Sequence, residues 1–235
     1  MIVPSVDVRA GRVAYRGDAG ADLDPRVLAA RYVAEGADEL HLVDLDGAEH
    51  GEDRNFALLS EIANAVGVRC RLAGGVAGLE QAAAARAAGF DGVLFSSAVF
   101  GDQTLLRGCA RAEGAIIEIE ARDGKLAPRG GPPELVLIAR GMDAQLAAET
   151  ASLRGARALY VIDLSTDGRL GGPPLVLLEQ LRRATGDGVS FHTGGGVRDL
   201  NDIRALAEWG AASVVVGRAF LEGAFTVAEA KAACA

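Results

Sequence analysis

Short apolar runs rich in β-branched residues alternate with longer stretches of helical period along the whole chain, and this alternation restricts the possible folds. It predicts strands over residues 2–6, 40–45, 68–72, 92–95, 115–120, 158–164, 189–192 and 212–216. It predicts helices over residues 24–35, 55–66, 79–88, 103–113, 143–153, 174–184, 201–208 and 227–233. Residues 125–140 are interrupted by adjacent glycines and prolines, so a loop is expected there. Such a succession is typical of an α/β fold, the (β/α)8 TIM barrel, and the alternative is an open doubly wound sheet.

The second half of the chain repeats motifs of the first half. Asp7 and Glu120 each end an apolar run, and in both cases an Arg follows two residues later and a Gly four residues later. The glycine pair Gly74-Gly75 returns as Gly195-Gly196 at nearly the same spacing. We therefore expect a single barrel domain over residues 1–235, built of two half-barrel repeats at about residues 1–113 and 114–235.

Charge and composition exclude several classes of partner. The formal net charge is −8, so attraction to nucleic acid or to an anionic membrane surface is not expected. A phosphorylated small molecule is the expected partner, because backbone N–H groups can hold a phosphate locally. Widely spaced cysteines, with no secretory signal pattern and no apolar run of membrane-spanning length, indicate a cytoplasmic protein. The sequence leaves the oligomeric state open.

Two glycine-containing loops follow the last two predicted strands, at the end of a barrel where active sites are built. Gly195 and Gly196 come after one strand, and Gly217 and Arg218 come after the next. Backbone N–H groups in such loops bind phosphate, although glycines can also serve only to form tight turns. The first half offers a second, weaker phosphate site, formed by Gly74, Gly75, Ser96 and Ser97.

Two carboxyl groups are candidates for acid and base catalysis. Asp7 and Glu120 end the first and fifth predicted strands, which lie on opposite sides of the mouth of an eight-stranded barrel. Two carboxyl groups that face one ligand can divide the work, one as the acid and the other as the base. The structural alternative is that they cap loops or pair with Arg9 and Arg122.

Further carboxylates are expected around the same mouth. They could bind ligand hydroxyl groups, orient a partner or fix turns, and they are Asp44, Asp46, Asp163 and Asp167. Because no histidine stands near them at a spacing typical of metal ligands, neither a metal nor a cofactor is predicted.

The three histidines have different expected roles. His192 ends a predicted strand beside a glycine loop and either touches the substrate or packs in the wall. His41 is predicted to pack within its strand, and His50 to lie in a loop.

Five motifs together resemble those of the histidine-biosynthesis barrel family. They are residues 2–8 (IVPSVDV), 41–47 (HLVDLDG), 163–172 (DLSTDGRLGG), 194–197 (GGGV) and 216–223 (VGRAFLEG). The resemblance covers the whole chain. It is closer to the isomerase branch, the phosphoribosylformimino-5-aminoimidazole carboxamide ribotide isomerases, than to the cyclase branch.

This resemblance implies an Amadori rearrangement, in which an aminoaldose becomes an aminoketose, on a substrate with a phosphate at each end. One carboxylic acid would open the ribose ring, and one carboxylate would then move the C2 proton. Asp7 matches the first catalytic aspartate of the family, and Glu120 stands at the position of the second. Asp167 matches an aspartate that contacts substrate.

The sequence departs from the family pattern around the expected site. Glu120 replaces Asp, Ile162 replaces Thr, Gly131 replaces Trp and Ala77 replaces Arg, and the loop after the first strand is short. These departures leave two alternatives open. One is a paralogue that acts on another phosphorylated metabolite, for example in methanopterin-type one-carbon cofactor biosynthesis. The other is a non-catalytic barrel subunit that binds phosphate.

Overall fold

The computed structural model describes residues 1–14, 23–51, 54–167 and 169–234. Its strands are β1 (Ile2–Arg9), β2 (Arg12–Val13), β3 (Glu39–Asp44), β4 (Arg69–Ala73), β5 (Gly92–Phe95), β6 (Ala115–Arg122), β7 (Lys125–Leu126), β8 (Ala158–Asp163), β9 (Ser190–Gly194) and β10 (Ser213–Val216). Its α-helices are α1 (Pro25–Ala34), α2 (Leu45–His50), α3 (Phe56–Ala65), α4 (Leu79–Ala87), α5 (Gln103–Ala110), α6 (Pro133–Ala139), α7 (Ala144–Arg154), α8 (Leu175–Thr185), α9 (Leu200–Trp209), α10 (Arg218–Leu221) and α11 (Val227–Ala232). A 3₁₀ helix covers Ser97–Gly101.

Eight parallel strands close into a barrel in the order β1, β3, β4, β5, β6, β8, β9 and β10. The last strand returns to the first, where Ile2, Val3 and Pro4 of β1 lie beside Val214, Val215 and Val216 of β10. This closure confirms the predicted (β/α)8 barrel and rules out the open doubly wound sheet. It also places β1 and β6 on opposite sides of the barrel, four strands apart in either direction.

Two apolar clusters hold this arrangement together. The larger one lies between the barrel and the helices and includes Leu28 of α1, Leu59 of α3 and Leu178 of α8. The smaller one lies inside the barrel and includes Val3, Leu94 and Val215. Successive strand residues point to opposite faces, so in β1, for example, Ile2 belongs to the larger cluster and Val3 to the smaller one, and both faces of the strand are buried.

The β1–β2 and β6–β7 hairpins are equivalent features of the two halves. Ala10-Gly11 and Asp123-Gly124 form the two-residue turns, and all four residues have positive φ. Each turn joins antiparallel strands with the same register. Positive φ at both central positions defines a type I′ turn, whose twist matches that of the flanking strands. The Gly in each copy of the repeated motif is therefore part of the hairpin turn.

Helix boundaries follow from local capping and from small residues on the buried face. Five helices begin after an aspartate whose side chain accepts one or two backbone N–H groups of the first turn, at Asp24, Asp44, Asp102, Asp143 and Asp199. In α7 the residues at positions i, i+3, i+4 and i+7 are alanines, which let the helix lie close against the barrel.

Two parts of the fold differ from the sequence-based expectation. Residues 125–140 are not only a loop, because they contain β7 and the helix α6, which begins at Pro133. Proline suits the first position of a helix, so the Pro pair marks a helix start as well as a break. A short helix, α2, also follows β3 directly, and His50 is its last residue rather than a loop residue. No helix among the described residues has the length and hydropathy needed to cross a membrane.

Candidate active site

An open pocket lies at the carboxyl ends of the barrel strands. It contains about 930 Å³ of space between atoms, which includes open solvent at its mouth. All of the predicted site residues except Ser97 line it: Asp7, Gly74, Gly75, Ser96, Glu120, Asp167, Gly195, Gly196, Gly217 and Arg218. The structure thus gathers residues from both halves of the chain around one space.

The two candidate carboxyl groups reach this pocket from opposite strands. Asp7 lies near the end of β1 and is half-buried, and its carboxylate accepts a hydrogen bond from the Ser5 hydroxyl. Glu120 lies near the end of β6 and is only 3% exposed. Arg9 pairs with Glu49, at 2.7 Å between Nη2 and Oε1. Arg9 therefore has an ion-pair partner other than Asp7.

Arg129 joins Glu120 to Asp167 across the pocket. Its Nε donates to Glu120 Oε1 at 2.7 Å, and its Nη1 donates to Asp167 Oδ2 at 2.8 Å. Ser97 Oγ donates to the other oxygen of Glu120 at 2.8 Å. Burial lowers the pKa of Arg129, but the carboxylates of Glu120 and Asp167 raise it by more, so the guanidinium stays charged.

The glycines of the second half pack against a neighbouring loop. A Cβ at Gly196 would collide with the carbonyl oxygen of Gly172, and one at Gly195 would lie 2.8 Å from Asp167 Oδ1. Both glycines have positive φ. A side chain at either position would not fit, so both positions require glycine. Their backbone forms part of the pocket wall, together with Gly217.

The glycines of the first half show the same kind of packing. Gly74 and Gly75 lie against the backbone of Asp44 and Gly47, where a side chain would collide. Here, however, a loop from the other half covers the adjacent surface. Ser96 Oγ donates to the carbonyl oxygen of Gly130, and a Cβ at Gly131 would lie 2.7 Å from Ala98 Cβ.

Asp44 and Asp46 form hydrogen bonds that stabilise nearby loops and helices, and they do not line this pocket. Asp44 accepts from Gly47 N at 2.9 Å and from Asn55 Nδ2 at 2.6 Å, which caps α2 and fixes the start of α3. Asp46 Oδ2 accepts from Ala10 N and from Asn55 Nδ2, both at 2.7 Å. Burial raises the pKa of Asp46, but these hydrogen bonds and the positive charges of Arg54 and Arg9 together lower it by more, so the net shift is downward.

Asp163 is also used locally. One of its side-chain oxygens accepts the backbone N–H of Ser165 at 2.8 Å and the Ser165 hydroxyl at 2.6 Å. Of the four further carboxylates predicted around the mouth, Asp167 is the one that lines the main pocket. The turn-forming interpretation therefore applies to Asp44, Asp46 and Asp163.

His192 lies deeper in the barrel than the predicted site. Its Nδ1 is 2.7 Å from Ser213 Oγ and 3.4 Å from Arg71 Nη1, and it is not part of the pocket lining. Burial and the positive charge of Arg71 lower the pKa of His192 to about 3. The interpretation of His192 as a wall residue fits this position better than contact with substrate.

Several residues of the pocket lining were missed by sequence reasoning, and they include four polar or charged groups that could contact a ligand. His41, Glu118 and Tyr160 face the barrel interior below the strand ends, and Arg129 follows β7. The first three stand two residues before Val43, Glu120 and Ile162, which line the pocket in the same strands. Side chains two residues apart in a strand lie on the same face, so the sequence could have predicted that these three residues also face the barrel interior.

No group of three or more His, Cys, Asp or Glu side chains in the described ranges is arranged to hold a metal ion. The predicted shortening of the loop after the first strand falls partly on residues 15–22, which lie outside the described residues.

Comparisons with known proteins agree on one family. The family model described as "Histidine biosynthesis protein" matches residues 1–226. A relative from Chloroflexus aggregans is 35% identical, with 97% of this chain and 95% of the relative covered. One from Rubrobacter xylanophilus is 36% identical, at 99% and 96% coverage, and one from Moorella thermoacetica is 33% identical, at 100% and 98%. Each is named 1-(5-phosphoribosyl)-5-((5-phosphoribosylamino)methylideneamino) imidazole-4-carboxamide isomerase.

Proposed function

Because this chain belongs to the histidine biosynthesis protein family, we propose that it is a sugar-phosphate isomerase that carries out an Amadori-type rearrangement of a phosphoribosyl substrate. The observation that carries this proposal is the placement of Asp7 and Glu120, which reach one pocket from opposite strands of the barrel. A reaction that needs one acid and one base at a single sugar requires this kind of arrangement.

The reaction can be divided between these two groups. The acid gives a proton to the ring oxygen as the C1–O bond breaks, which leaves an open-chain protonated imine. The base removes the proton from C2, the electron pair of that C–H bond forms a C1=C2 double bond, and the imine nitrogen becomes a neutral amine, which gives an enaminol. The C2 hydroxyl then loses its proton as C1 gains one, which gives the aminoketose; one residue of the pair supplies the acid and the other supplies the base.

The two glycine loops at the rim of the pocket support a ligand with a phosphate at each end. Gly195, Gly196 and Gly217 lie on one side, and Gly74 and Gly75 lie on the other. The name of the relatives contains two phosphoribosyl groups. We propose that the second-half loop holds one phosphate through its backbone N–H groups and that the first-half loop holds the other.

Arg129 has a positioning role in this proposal. Glutamate is one methylene longer than the family aspartate, so its carboxyl group needs separate support to reach a defined position. The hydrogen bonds from Arg129 and Ser97 provide that support, because they fix both oxygens of Glu120. Asp167 is held by the same guanidinium, so the acid/base residue and the proposed substrate contact are placed together.

Rescue of a bacterial strain that lacks the isomerase and needs histidine tests the proposal. Wild-type protein should restore growth without histidine, and Asp7→Asn and Glu120→Gln should not. Asp38→Asn, on the surface beside Lys231, is the matched control and should rescue like the wild type. Soluble wild-type protein that fails to rescue would contradict the proposed reaction.

A further inference from the structure

The glycine loop of the second half, residues 195–197, leads into helix α9, and Asp202 connects the two. Asp202 lies in the first turn of α9 and is only 5% exposed. Its Oδ2 accepts the backbone N–H of Arg198 at 2.8 Å, and its Oδ1 accepts Arg198 Nη2 at 2.7 Å. The residue that follows the loop is therefore fixed to the helix by its backbone as well as by its side chain.

A second contact fixes the peptide that joins Gly196 to Val197. The backbone N–H of Gly172 donates to the carbonyl oxygen of Gly196 at 2.8 Å. The C=O and N–H groups of one trans peptide point in opposite directions, so the N–H of Val197 points away from Gly172. Val197 lines the pocket and Gly172 does not. Because the N–H of Val197 donates to no group in the described part of the chain, it is left as a donor at the pocket wall.

The conformation of Val197 depends on both contacts. A planar peptide leaves only φ and ψ free at each residue. Gly172 sets the peptide before Val197, and Asp202 sets the peptide after it. Loss of the contact to Asp202 would free the second peptide and let the loop relax. Donors that are already oriented bind an anion more tightly than donors that must first be ordered.

The first half of the chain makes the same contact with a different side chain. Ala77 follows the first glycine loop, and its backbone N–H donates to Gln81 Oε1 at 2.9 Å. Gln81 is the third residue of α4, as Asp202 is the third residue of α9. One side chain is neutral and the other is acidic. The feature that the two halves share is therefore an oxygen that accepts this N–H, and not a charge.

Arg198 makes the acidic side chain compatible with a bound anion. Burial raises the pKa of Asp202, but the hydrogen bonds and the charge of Arg198, together with a hydrogen bond from Asp199, lower it by more. The carboxylate is therefore ionised, and the guanidinium of Arg198 balances its charge.

We propose that Asp202 is a positioning residue for phosphate binding: it holds the backbone of Arg198 so that the N–H groups of the second-half glycine loop, that of Val197 among them, stay directed at the pocket. The inference rests on the proposed function only in taking this loop to hold a phosphate. It goes beyond that proposal because Asp202 does not itself line the pocket.

Titration of the isotope-labelled protein with inorganic phosphate, followed by nuclear magnetic resonance, tests this role without requiring turnover. The amide signals of Gly195, Gly196 and Val197 report the affinity at this loop. Asp202→Ala should weaken phosphate binding there by about 3- to 10-fold, as expected for the loss of one hydrogen bond. Asp202→Asn keeps an oxygen for the N–H of Arg198 and should stay within about twofold of the wild type.

Asp143→Ala is the matched control. Asp143 also accepts two groups at the start of a helix, the backbone N–H groups of Gln145 and Leu146, but it does not line the pocket. This variant should leave the phosphate affinity unchanged. Wild-type affinity in Asp202→Ala would overturn the positioning role. An equal loss in Asp202→Asn and Asp202→Ala would also overturn it, because the charge would then matter and not the contact to the backbone.

Hydrogen exchange of the wild-type protein keeps the test open if Asp202→Ala fails to fold. The amide of Arg198 should exchange slowly with or without phosphate, and phosphate should slow exchange at Val197. Fast exchange at Arg198, or exchange at Val197 that phosphate leaves unchanged, would overturn the inference. Phosphate binding at this loop in a protein without isomerase activity would support it and reject only the proposed reaction.

Discussion

At the scale of single residues, Glu120 shows how one substitution changes what its surroundings must do. Its carboxylate is almost fully buried and is held by Arg129 and Ser97. Arg129 also pairs with Asp167, so one guanidinium serves two carboxylates. A buried carboxylate that loses its cation is strongly destabilised, because the charge has no solvent to compensate it.

Replacement of Arg129 by Met should therefore lower the free energy of unfolding by about 2–4 kcal/mol. The double variant Arg129→Met/Glu120→Gln should be less destabilised than the two single changes added together, because it leaves no unpaired charge at position 120. Urea unfolding measures both. Arg183→Met, which removes an exposed pair with Glu179, should cost under about 1 kcal/mol. Strict additivity of the two changes would show that the pair is not coupled.

At the scale of elements, the repeated motif that begins at Asp7 and at Glu120 forms a β-hairpin in both halves of the chain. The two copies have the same turn, with positive φ at Ala10 and Asp123. Each hairpin is closed by an equivalent backbone hydrogen bond of 2.8 Å. The N–H of Ala14 donates to the backbone carbonyl of Asp7, and the N–H of Ala127 donates to the backbone carbonyl of Glu120. The sequence showed the repeat but not its cause, because a type I′ turn is usually marked by Asn-Gly or Asp-Gly and the first copy has Ala-Gly.

The left-handed conformation disfavours alanine and tolerates asparagine and aspartate, so the turn in the first half can be improved. Ala10→Asn should raise the free energy of unfolding by roughly 0.5–1 kcal/mol, since Ala10 is exposed and the new side chain has room. Asp123→Ala at the equivalent position should lower it by a similar amount. Chemical denaturation of the two variants compares them directly. A destabilised Ala10→Asn protein would argue against strain at this turn.

The network around Asn55 predicts a pH-dependent contribution to stability. The pKa of Asp46 is lowered in the folded state, so its contribution is present above its unfolded pKa of about 4 and is lost as the pH falls through the folded value. Asp46→Asn should cost about 1–3 kcal/mol at pH 7 and less near pH 3. Unfolding measured at both pH values tests this, with the surface variant Asp38→Asn as the control. A cost that stays constant with pH would contradict the assigned ionisation.

At the scale of the whole molecule, the barrel was predictable because each βα unit can be recognised locally. The spacing of apolar residues, the helix caps and the turn residues mark each unit within a short stretch of sequence. The pocket floor was not predicted, because closure buries both faces of every strand and His41 looked like an ordinary packed residue. The contact of Ser96 with Gly130 could not be inferred either, because it joins opposite halves only after the barrel closes. The sequence did identify residues that line the rim of the pocket, since strand ends and glycine loops are local features.

The central claim is that Asp7 and Glu120 act together on one phosphoribosyl substrate in this pocket. The most direct test is turnover of the purified protein with the isomerase substrate of its relatives, measured across pH. The account predicts a bell-shaped profile for the wild type, the loss of one limb in Asp7→Asn and of the other in Glu120→Gln, with at least about a 100-fold fall in kcat for each. Turnover that both variants retain at the wild-type rate, or its absence from well-folded wild-type protein, would contradict it.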